Sequence, residues 1–231
     1  MIELTQFTHL TFDCYGTIID WEAGILSAVQ PVLERHGVVI GEAETLQLYA
    51  RLEAEQEAGP YKPYKRVLMG VMESFGSELG FAPSEADLLA LPESVGAWPP
   101  FADSREALQR LQVGFELVIL SNIDDELFAT SERLLGVEFD DVITAQQVGS
   151  YKPSLKNFRV AVERLEVPHQ QVLHVAQSLF HDHAPAKQLG FTTVWVNRPS
   201  RCPGIGVAPP TDASPDLEIP DLRTLVELAG L

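Results

Sequence analysis

The stretch Leu10-Thr11-Phe12-Asp13-Cys14-Tyr15-Gly16-Thr17 places a short apolar run directly before a carboxylate and a turn that contains glycine. A short apolar run that stops at such a turn is typical of a buried strand with a loop at its carboxyl end. We therefore predict that the first strand ends at Asp13 and that residues 13–17 form the loop after it.

The region from about residue 22 to residue 96 has a helical pattern. Its apolar residues recur at helical spacing, and it carries few strand signals. Breakers divide the region into segments, and Pro99-Pro100 closes it; the breakers are Gly37, Gly41, Gly59-Pro60, Gly80, Pro83 and Pro92. The pattern predicts a run of helices inserted after the first strand.

The rest of the chain alternates between helical and strand patterns. Repeated strand–helix units predict an α/β fold, a doubly wound parallel sheet with helices on both faces. The predicted strands are 116–120, 141–144, 172–176 and 192–196. The predicted helices are 104–111, 125–135, 154–165, 184–189 and 221–228, and residues 199–215, rich in proline, are predicted to form a loop.

Composition limits the classes of function. The chain has 16 Lys and Arg against 33 Asp and Glu, a formal net charge of −17. Such a charge repels phosphate backbones and disfavours nucleic-acid binding. The two cysteines form no disulfide framework, and no apolar run approaches the roughly 18 residues of a membrane span. We expect a cytoplasmic protein with a small-molecule substrate and no membrane or nucleic-acid partner.

Chemically active side chains follow each of the first four predicted strands. Ligands of doubly wound sheets bind outside the carboxyl ends of the strands, so these side chains are expected to share one rim. They are Asp13; Ser121 and Asn122; Lys152; and Gln177, Ser178 and Asp182.

The residue types at this rim suggest covalent catalysis. Asp13 can attack an electrophile if its carboxylate is ionised, and a nearby ammonium such as that of Lys152 lowers a carboxylate pKa. Ser121 and backbone N–H groups near it can hold a substrate oxyanion. Asp182 can pair with Lys152 or activate the water that hydrolyses an intermediate.

Four motifs occur in order along the chain: Phe12-Asp13-Cys14-Tyr15-Gly16-Thr17, Ser121-Asn122, Tyr151-Lys152-Pro153 and Asp182. Together they resemble the four motifs of the haloacid dehalogenase superfamily, and the resemblance covers nearly the whole chain. The resemblance implies a core domain of residues 1–19 and 99–231, a helical cap domain of residues 20–98 and the strand order 3-2-1-4-5.

Two substitutions relate to the reaction. Phosphatases of this superfamily carry a second Asp two residues after the nucleophile, which protonates the leaving alkoxide, and an acidic Mg²⁺ ligand where Gln177 stands here. This chain has Tyr15 at the first position. A halide leaves as a stable anion and needs no proton, and the Asp-x-Tyr-Gly-Thr form resembles the type II 2-haloacid dehalogenases, which use no metal.

This resemblance implies an aspartyl-ester mechanism acting on a small 2-haloacid, without a cofactor. The implied catalytic residues are Asp13, Thr17, Ser121, Lys152 and Asp182. The implied substrate-binding residues are Tyr15, Asn122, Gln177, Ser178 and a cap arginine, for which Arg51 and Arg66 are the candidates. The sequence departs from the dehalogenases at Leu179, where they usually carry Asn, and at Phe158, where they usually carry Tyr.

Other interpretations remain open. A Mg²⁺-dependent phosphatase of a small phosphorylated metabolite would hold its metal with Asp13, Tyr15 and Asp182. A member with weak or no catalysis would bind a ligand or partner. Dimerisation is common among the dehalogenases that the chain resembles, so a homodimer is a further expectation.

Overall fold

A computed structural model of the protein describes residues 2–202 and 211–231. Its sheet has six parallel strands in the order β3-β2-β1-β4-β5-β6. The strands are β1 (His9–Phe12), β2 (Glu116–Ser121), β3 (Asp141–Thr144), β4 (Val172–Ala176), β5 (Thr192–Val196) and β6 (Leu217–Ile219). The predicted fold class is confirmed, and the first five strands have the expected order.

Four helices follow β1 before the chain returns to the sheet, as the helical pattern predicts. They are α1 (Trp21–Arg35), α2 (Glu42–Glu57), α3 (Tyr64–Leu79) and α4 (Glu85–Ser94). Helix α1 begins at Trp21 because the Asp20 side chain accepts a hydrogen bond from the Ala23 N–H. These helices are called the helical insert below; the domain boundaries at residues 19–20 and 98–99 stay a prediction.

Within residues 2–202 and 211–231, six further helices connect or follow the strands. They are α5 (Ser104–Leu111), α6 (Asp125–Leu135), α7 (Ala145–Val148), α8 (Leu155–Leu165), α9 (Ala184–Gln188) and α10 (Leu222–Ala229). Among the described residues, no helix is long and apolar enough to cross a membrane.

Both faces of the sheet are covered. Successive residues of a strand point to opposite faces, and on β2 Leu117 and Ile119 pack in one apolar cluster while Val118 and Leu120 pack in another. All four residues of β1 are buried. A central strand of a parallel sheet buried on both faces is expected to be largely apolar. Leu10 and Phe12 follow that expectation, whereas the polar side chains of Thr11 and His9 contact His174 of β4 and Glu116 of β2.

Two details differ from the sequence-based expectation. Pro92 was expected to separate helices, but it lies buried in the last turn of α4, where the loss of one backbone N–H removes little of the helix. Strand β6 was not predicted, because three residues after a proline-rich segment carry too short a pattern. Residues 203–210 of the predicted loop lie outside the described residues.

The register of the sheet aligns the strand ends. Phe12 pairs with Ile119 of β2 and with Val175 of β4. The residues that follow Phe12, Leu120 and Ala176 therefore reach the same edge of the sheet. This edge is where the sequence predicts the functional groups.

Candidate active site

Two carboxylates and one ammonium meet at the carboxyl edge of the sheet. The Lys152 Nζ donates hydrogen bonds to Oδ1 of Asp13 at 2.9 Å and to Oδ1 of Asp182 at 2.7 Å. Its third bond goes to the backbone oxygen of Leu120 at 2.8 Å. All three charged side chains are buried. Since an ammonium has three protons, Lys152 has none left for a ligand in this arrangement.

The second oxygen of Asp13 is held by Thr17. The Thr17 hydroxyl donates to Oδ2 of Asp13 at 2.8 Å and accepts a hydrogen bond from the backbone N–H of Gln177 at 2.8 Å. Gly16, which lies between Asp13 and Thr17 in the sequence, has a φ of 100°, a backbone conformation that residues with a Cβ rarely adopt. The loop after β1 thus links the Asp13 carboxylate to the end of β4.

Asp182 has a second partner that the sequence analysis missed. His174, fully buried in β4, places its Nε2 3.0 Å from Oδ1 of Asp182, and its Nδ1 lies 2.9 Å from the Thr11 hydroxyl of β1. A π-helical turn over Leu179–His183 brings Asp182 back over the strand end. The signal for His174 is a lone imidazole within the otherwise apolar sequence of β4.

The ionisation of these groups follows from burial and mutual contact. Burial raises the pKa of Asp13 above its ordinary value and Asp182 adds to the rise, while Lys152 and Thr17 act against it. Burial would also raise the pKa of Asp182, but Lys152 and His174 outweigh burial and hold that pKa well below its usual range. The pKa of Lys152 is raised, because the two carboxylates outweigh the effect of burial. Lys152 thus lowers the pKa of Asp13 as the sequence analysis expects, but burial has the larger effect and the net shift is upward.

Ser121 and Asn122 have different environments. Ser121 is only 2% exposed, and its Oγ has no hydrogen-bond partner among the described residues. The Asn122 amide donates to the backbone oxygen of Lys152 at 3.0 Å and accepts from the Lys152 N–H at 2.7 Å. Asn122 thus fixes the loop that carries Lys152, whereas the buried Ser121 hydroxyl keeps a proton that no described residue accepts.

Tyr15 and Ser178 have their polar groups engaged. The Tyr15 hydroxyl lies 2.9 Å from the Ser131 Oγ, and its ring meets the edge of Trp98 with centroids 5.7 Å apart. The Ser178 Oγ accepts a hydrogen bond from the His181 N–H at 3.1 Å. Both residues and Gln177 line the site, but neither hydroxyl is free of a protein partner.

A cavity of about 180 Å³ lies between this rim and the helical insert. The insert contributes Ala50, Glu53, Ala54 and Glu57 of α2, which recur at the spacing of one helical face. The other lining residues of the insert and its junctions are Trp21, Glu22, Tyr64 and Trp98, and the core side includes Asp13, Ser121, Asn122, Lys152, Phe180, His181, Asp182 and Ser200.

Neither candidate arginine reaches the cavity, which corrects the expectation for both. Arg51 lies on a different side of α2 from the lining residues, is 48% exposed and pairs with Glu55 at 2.9 Å and Glu78 at 3.1 Å. Arg66 is exposed on α3, and its guanidinium approaches the Met69 sulfur. The sequence placed both in the insert but did not determine which helical face points inward.

The site does not fit Mg²⁺. The Lys152 ammonium lies between the Asp13 and Asp182 carboxylates, where a cation shared by them would bind, and the Tyr15 hydroxyl is directed to Ser131. Mg²⁺ requires several oxygen ligands in near-octahedral geometry. Within the part of the chain that the structure describes, no group of three or more His, Cys, Asp or Glu side chains could hold a metal ion.

Comparison with known proteins identifies the family of the chain. The sequence model of the family of haloacid dehalogenase-like hydrolases matches residues 7–190. An (S)-2-haloacid dehalogenase of Pseudomonas putida is 24% identical over 194 residues, covering 82% of this chain and 84% of that protein.

Two solved structures share the fold. The L-2-haloacid dehalogenase from Xanthobacter autotrophicus superimposes with a TM-score of 0.82 at 24% identity, covering 97% of this chain and 98% of that one. The HAD-hydrolase YfnB from Bacillus subtilis, bound to magnesium, gives a TM-score of 0.79 at 20% identity, covering 97% and 99%. Because the family model spans most of the sequence and the four motifs meet at one rim, this chain belongs to the haloacid dehalogenase-like hydrolases.

Proposed function

We propose that the protein removes halide from a small 2-haloacid by hydrolysis, with Asp13 as the nucleophile and without a metal. One observation carries the proposal: Lys152 lies between the two carboxylates, while the residue two positions after Asp13 directs its hydroxyl away to Ser131. This site offers a buried nucleophile but no proton donor at that position, which suits a leaving group that departs as a stable anion. The names of the similar proteins agree with the proposed substrate.

The first step is a displacement at the carbon that bears the halogen. An oxygen of Asp13 forms a bond to that carbon, and the electron pair of the carbon–halogen bond leaves with the halide. The product of this step is an ester of Asp13. Lys152 and Thr17 each hold one Asp13 oxygen and so orient the carboxylate for the attack.

The second step is hydrolysis of the ester. Water adds to the carboxyl carbon of Asp13, the bond between that carbon and the substrate oxygen breaks, and one proton of the water passes to the departing oxygen. This releases the 2-hydroxyacid and regenerates the carboxyl group of Asp13. Oδ2 of Asp182 is buried with no hydrogen-bond partner among the described residues, and Asp182 lines the cavity. We infer that Oδ2 accepts a hydrogen bond from this water and positions it.

The proposal is tested by measuring halide release from chloroacetate, 2-chloropropionate and fluoroacetate in the presence of EDTA. Phosphate release from an aryl phosphate is measured beside it, with and without Mg²⁺. Halide release that persists in EDTA supports the proposal. Phosphate release that requires Mg²⁺, with no halide release, would replace it by the phosphatase interpretation.

Substitution of Thr17 by valine is expected to shift the pH dependence of the reaction. The hydroxyl lowers the pKa of Asp13, so its loss raises that pKa further and moves the acid limb of kcat/KM to higher pH. The rate above the limb is expected to fall by about 10- to 100-fold, the range for a hydrogen bond to a charged group. The Thr17→Ser variant keeps the hydroxyl and should retain the limb near its original pH; a limb unmoved in Thr17→Val contradicts the assigned contact.

A further inference from the structure

Acidic side chains dominate the lining of the cavity. Five of them line it, those of Asp13, Glu22, Glu53, Glu57 and Asp182. Lys152 pairs with Asp13 and Asp182, and Glu22 lies 3.8 Å from the Arg201 guanidinium, which leaves Glu53 and Glu57 without a basic partner among the described residues. All three protons of the Lys152 ammonium are already donated to protein oxygens. The described lining thus lacks a free cation for an anionic group at the insert side of the cavity.

Two of these carboxylates face the cavity from α2. Glu53 Oε1 accepts hydrogen bonds from the hydroxyls of both Tyr49 and Tyr64, at 2.9 Å from Tyr49. Glu57 lies one turn further along the same face, half-buried, and makes no hydrogen bond or ion pair with the described residues. Burial, and then the neighbouring Glu53, raise the pKa of Glu57 to about 9. These two carboxyl groups therefore lie in the cavity lining without a partner of opposite charge, and Glu57 is protonated at neutral pH until a cation binds beside it.

Aromatic rings surround the same space. Trp21, Tyr64, Trp98 and Phe180 line the cavity together with Glu53 and Glu57. Ring faces attract cations, and an alkylammonium placed among aromatic rings and carboxylates gains both attractions in a desolvated site. A cation bound there would also favour the ionised forms of the two carboxylates.

The opposite side of the cavity suits a carboxylate. The buried Ser121 hydroxyl lines the core side with no partner among the described residues, so it can donate a hydrogen bond to a ligand oxygen. The cavity volume of about 180 Å³ also exceeds the space of one or two waters, at roughly 10–15 Å³ for each. A ligand longer than a two-carbon haloacid is therefore accommodated.

We propose that the substrate is a 2-haloacid whose chain ends in an alkylammonium group, with the cationic end held by Glu53, Glu57 and the surrounding aromatic rings. The inference rests on the proposed function for the identity of the reacting end. Its chemistry is the same displacement by Asp13, and the cationic end takes no part in bond making. Glu53 and Glu57 are then residues that determine specificity.

Binding is tested with two ligands that have one shape and different charge. They are 4-(trimethylammonio)butanoate and 5,5-dimethylhexanoate, in which a quaternary carbon replaces the nitrogen. Calorimetric titration of the full chain is expected to show the ammonium ligand bound about tenfold or more tightly. Equal affinity for the two ligands, or no binding of the ammonium ligand, overturns the inference.

Variants of α2 show where the preference arises. In Glu57→Gln the preference should decrease, and in the Glu53→Gln/Glu57→Gln double variant it should disappear. The matched control is Glu55→Gln, because Glu55 is an exposed acid of the same helix that pairs with Arg51. A preference that survives in the double variant overturns the inference, and so does an unchanged affinity in Glu57→Gln, which would indicate a protonated carboxyl acting as a donor.

Halide release from the 2-chloro derivatives of the same two ligands separates this inference from the proposed function. A higher kcat/KM for the ammonium derivative supports both. If the ammonium ligand binds preferentially but neither derivative releases halide, the proposed reaction fails and the cation site stands. If both derivatives release halide at equal rates, the reaction stands and the cation site fails.

Discussion

Replacement of Asp13 by asparagine is expected to lower the rate of halide release by on the order of 10⁴-fold or more, because the uncharged amide is a poor nucleophile for displacement at carbon. Asp13 lies at the end of β1, and Lys152 and Thr17 bond its two oxygens. The amide oxygen can still accept one of these bonds, so the fold is expected to persist. Circular dichroism and a thermal melt establish that the variant is folded before its rate is compared.

The matched control changes a carboxylate to an amide far from the rim. Glu163 is exposed on α8, and Glu163→Gln should retain the rate of the unmodified protein. A folded Asp13→Asn variant that keeps more than a tenth of that rate would exclude Asp13 as the nucleophile. The same result in Asp13→Ala would show that the reaction needs no carboxylate at position 13.

Oxygen isotopes follow the atom that Asp13 transfers. In a single turnover in H₂¹⁸O with enzyme in excess, the new hydroxyl of the product should contain ¹⁶O, because it comes from the Asp13 carboxylate. The ¹⁸O should appear in a peptide that contains Asp13. Product labelled with ¹⁸O in the first turnover would contradict the ester intermediate.

Replacement of Lys152 by methionine is expected to remove about 3–5 kcal/mol from the free energy of unfolding at neutral pH. The side chain of methionine fills similar space, but it leaves the buried Asp13 and Asp182 carboxylates without their shared ammonium. Halide release should be lost as well. Urea unfolding of both proteins measures the difference.

The difference in unfolding free energy between the unmodified protein and Lys152→Met is expected to depend on pH, with a defined sign. The raised pKa of Lys152 gives a stabilising contribution that is present below its ordinary value of 10.5 and is lost only as the pH rises through the raised value. The lowered pKa of Asp182 gives a second stabilising contribution, which is present above the ordinary pKa of 3.8 and is lost as the pH falls through the lowered value. The unmodified protein therefore keeps both contributions between about pH 5 and 9. In the variant the unpaired carboxylates become protonated as the pH falls, so the difference should narrow toward acidic pH.

A surface ion pair provides the control for Lys152. Lys187 pairs with Asp216 at 2.6 Å with both side chains about one-third exposed. The Lys187→Met variant should change the free energy of unfolding by no more than about 1 kcal/mol. An equal loss of unfolding free energy in the two methionine variants would show that the buried ion pairs of Lys152 stabilise the fold no more than an exposed one.

In a Lys152→Met/Asp182→Asn double variant, the loss of unfolding free energy should be smaller than the sum of the losses in the two single variants.

The strand ends could be predicted from the sequence because the pattern of a parallel sheet is local. Asp13, Ser121 and Lys152 each follow a recognisable strand, and the parallel register brings such ends to one edge. The structure places their side chains around one cavity, whereas their catalytic roles remain predictions. The residues of the rim could be predicted because their placement depends only on the order of the strands and helices along the chain.

The insert side of the cavity could not be predicted in the same way. Whether Arg51 or Glu53 points inward depends on how α2 is rotated, and two residues along a helix change direction by about 200°. Because α2 contains many glutamates, Glu53 and Glu57 cannot be distinguished by sequence from the glutamates on its solvent-exposed face. His174 was missed because its partner Asp182 reaches it only through the π-helical turn.

The cavity joins two parts of the chain that are separate in sequence. The strand ends supply the reacting groups, and one face of a single inserted helix, with Glu53 and Glu57, supplies much of the opposite wall. Substitutions on that face leave the contacts of Asp13 with Lys152 and Thr17 in place. In evolutionary terms, a lineage can acquire a new substrate by a few changes in α2 while it inherits its chemistry unaltered.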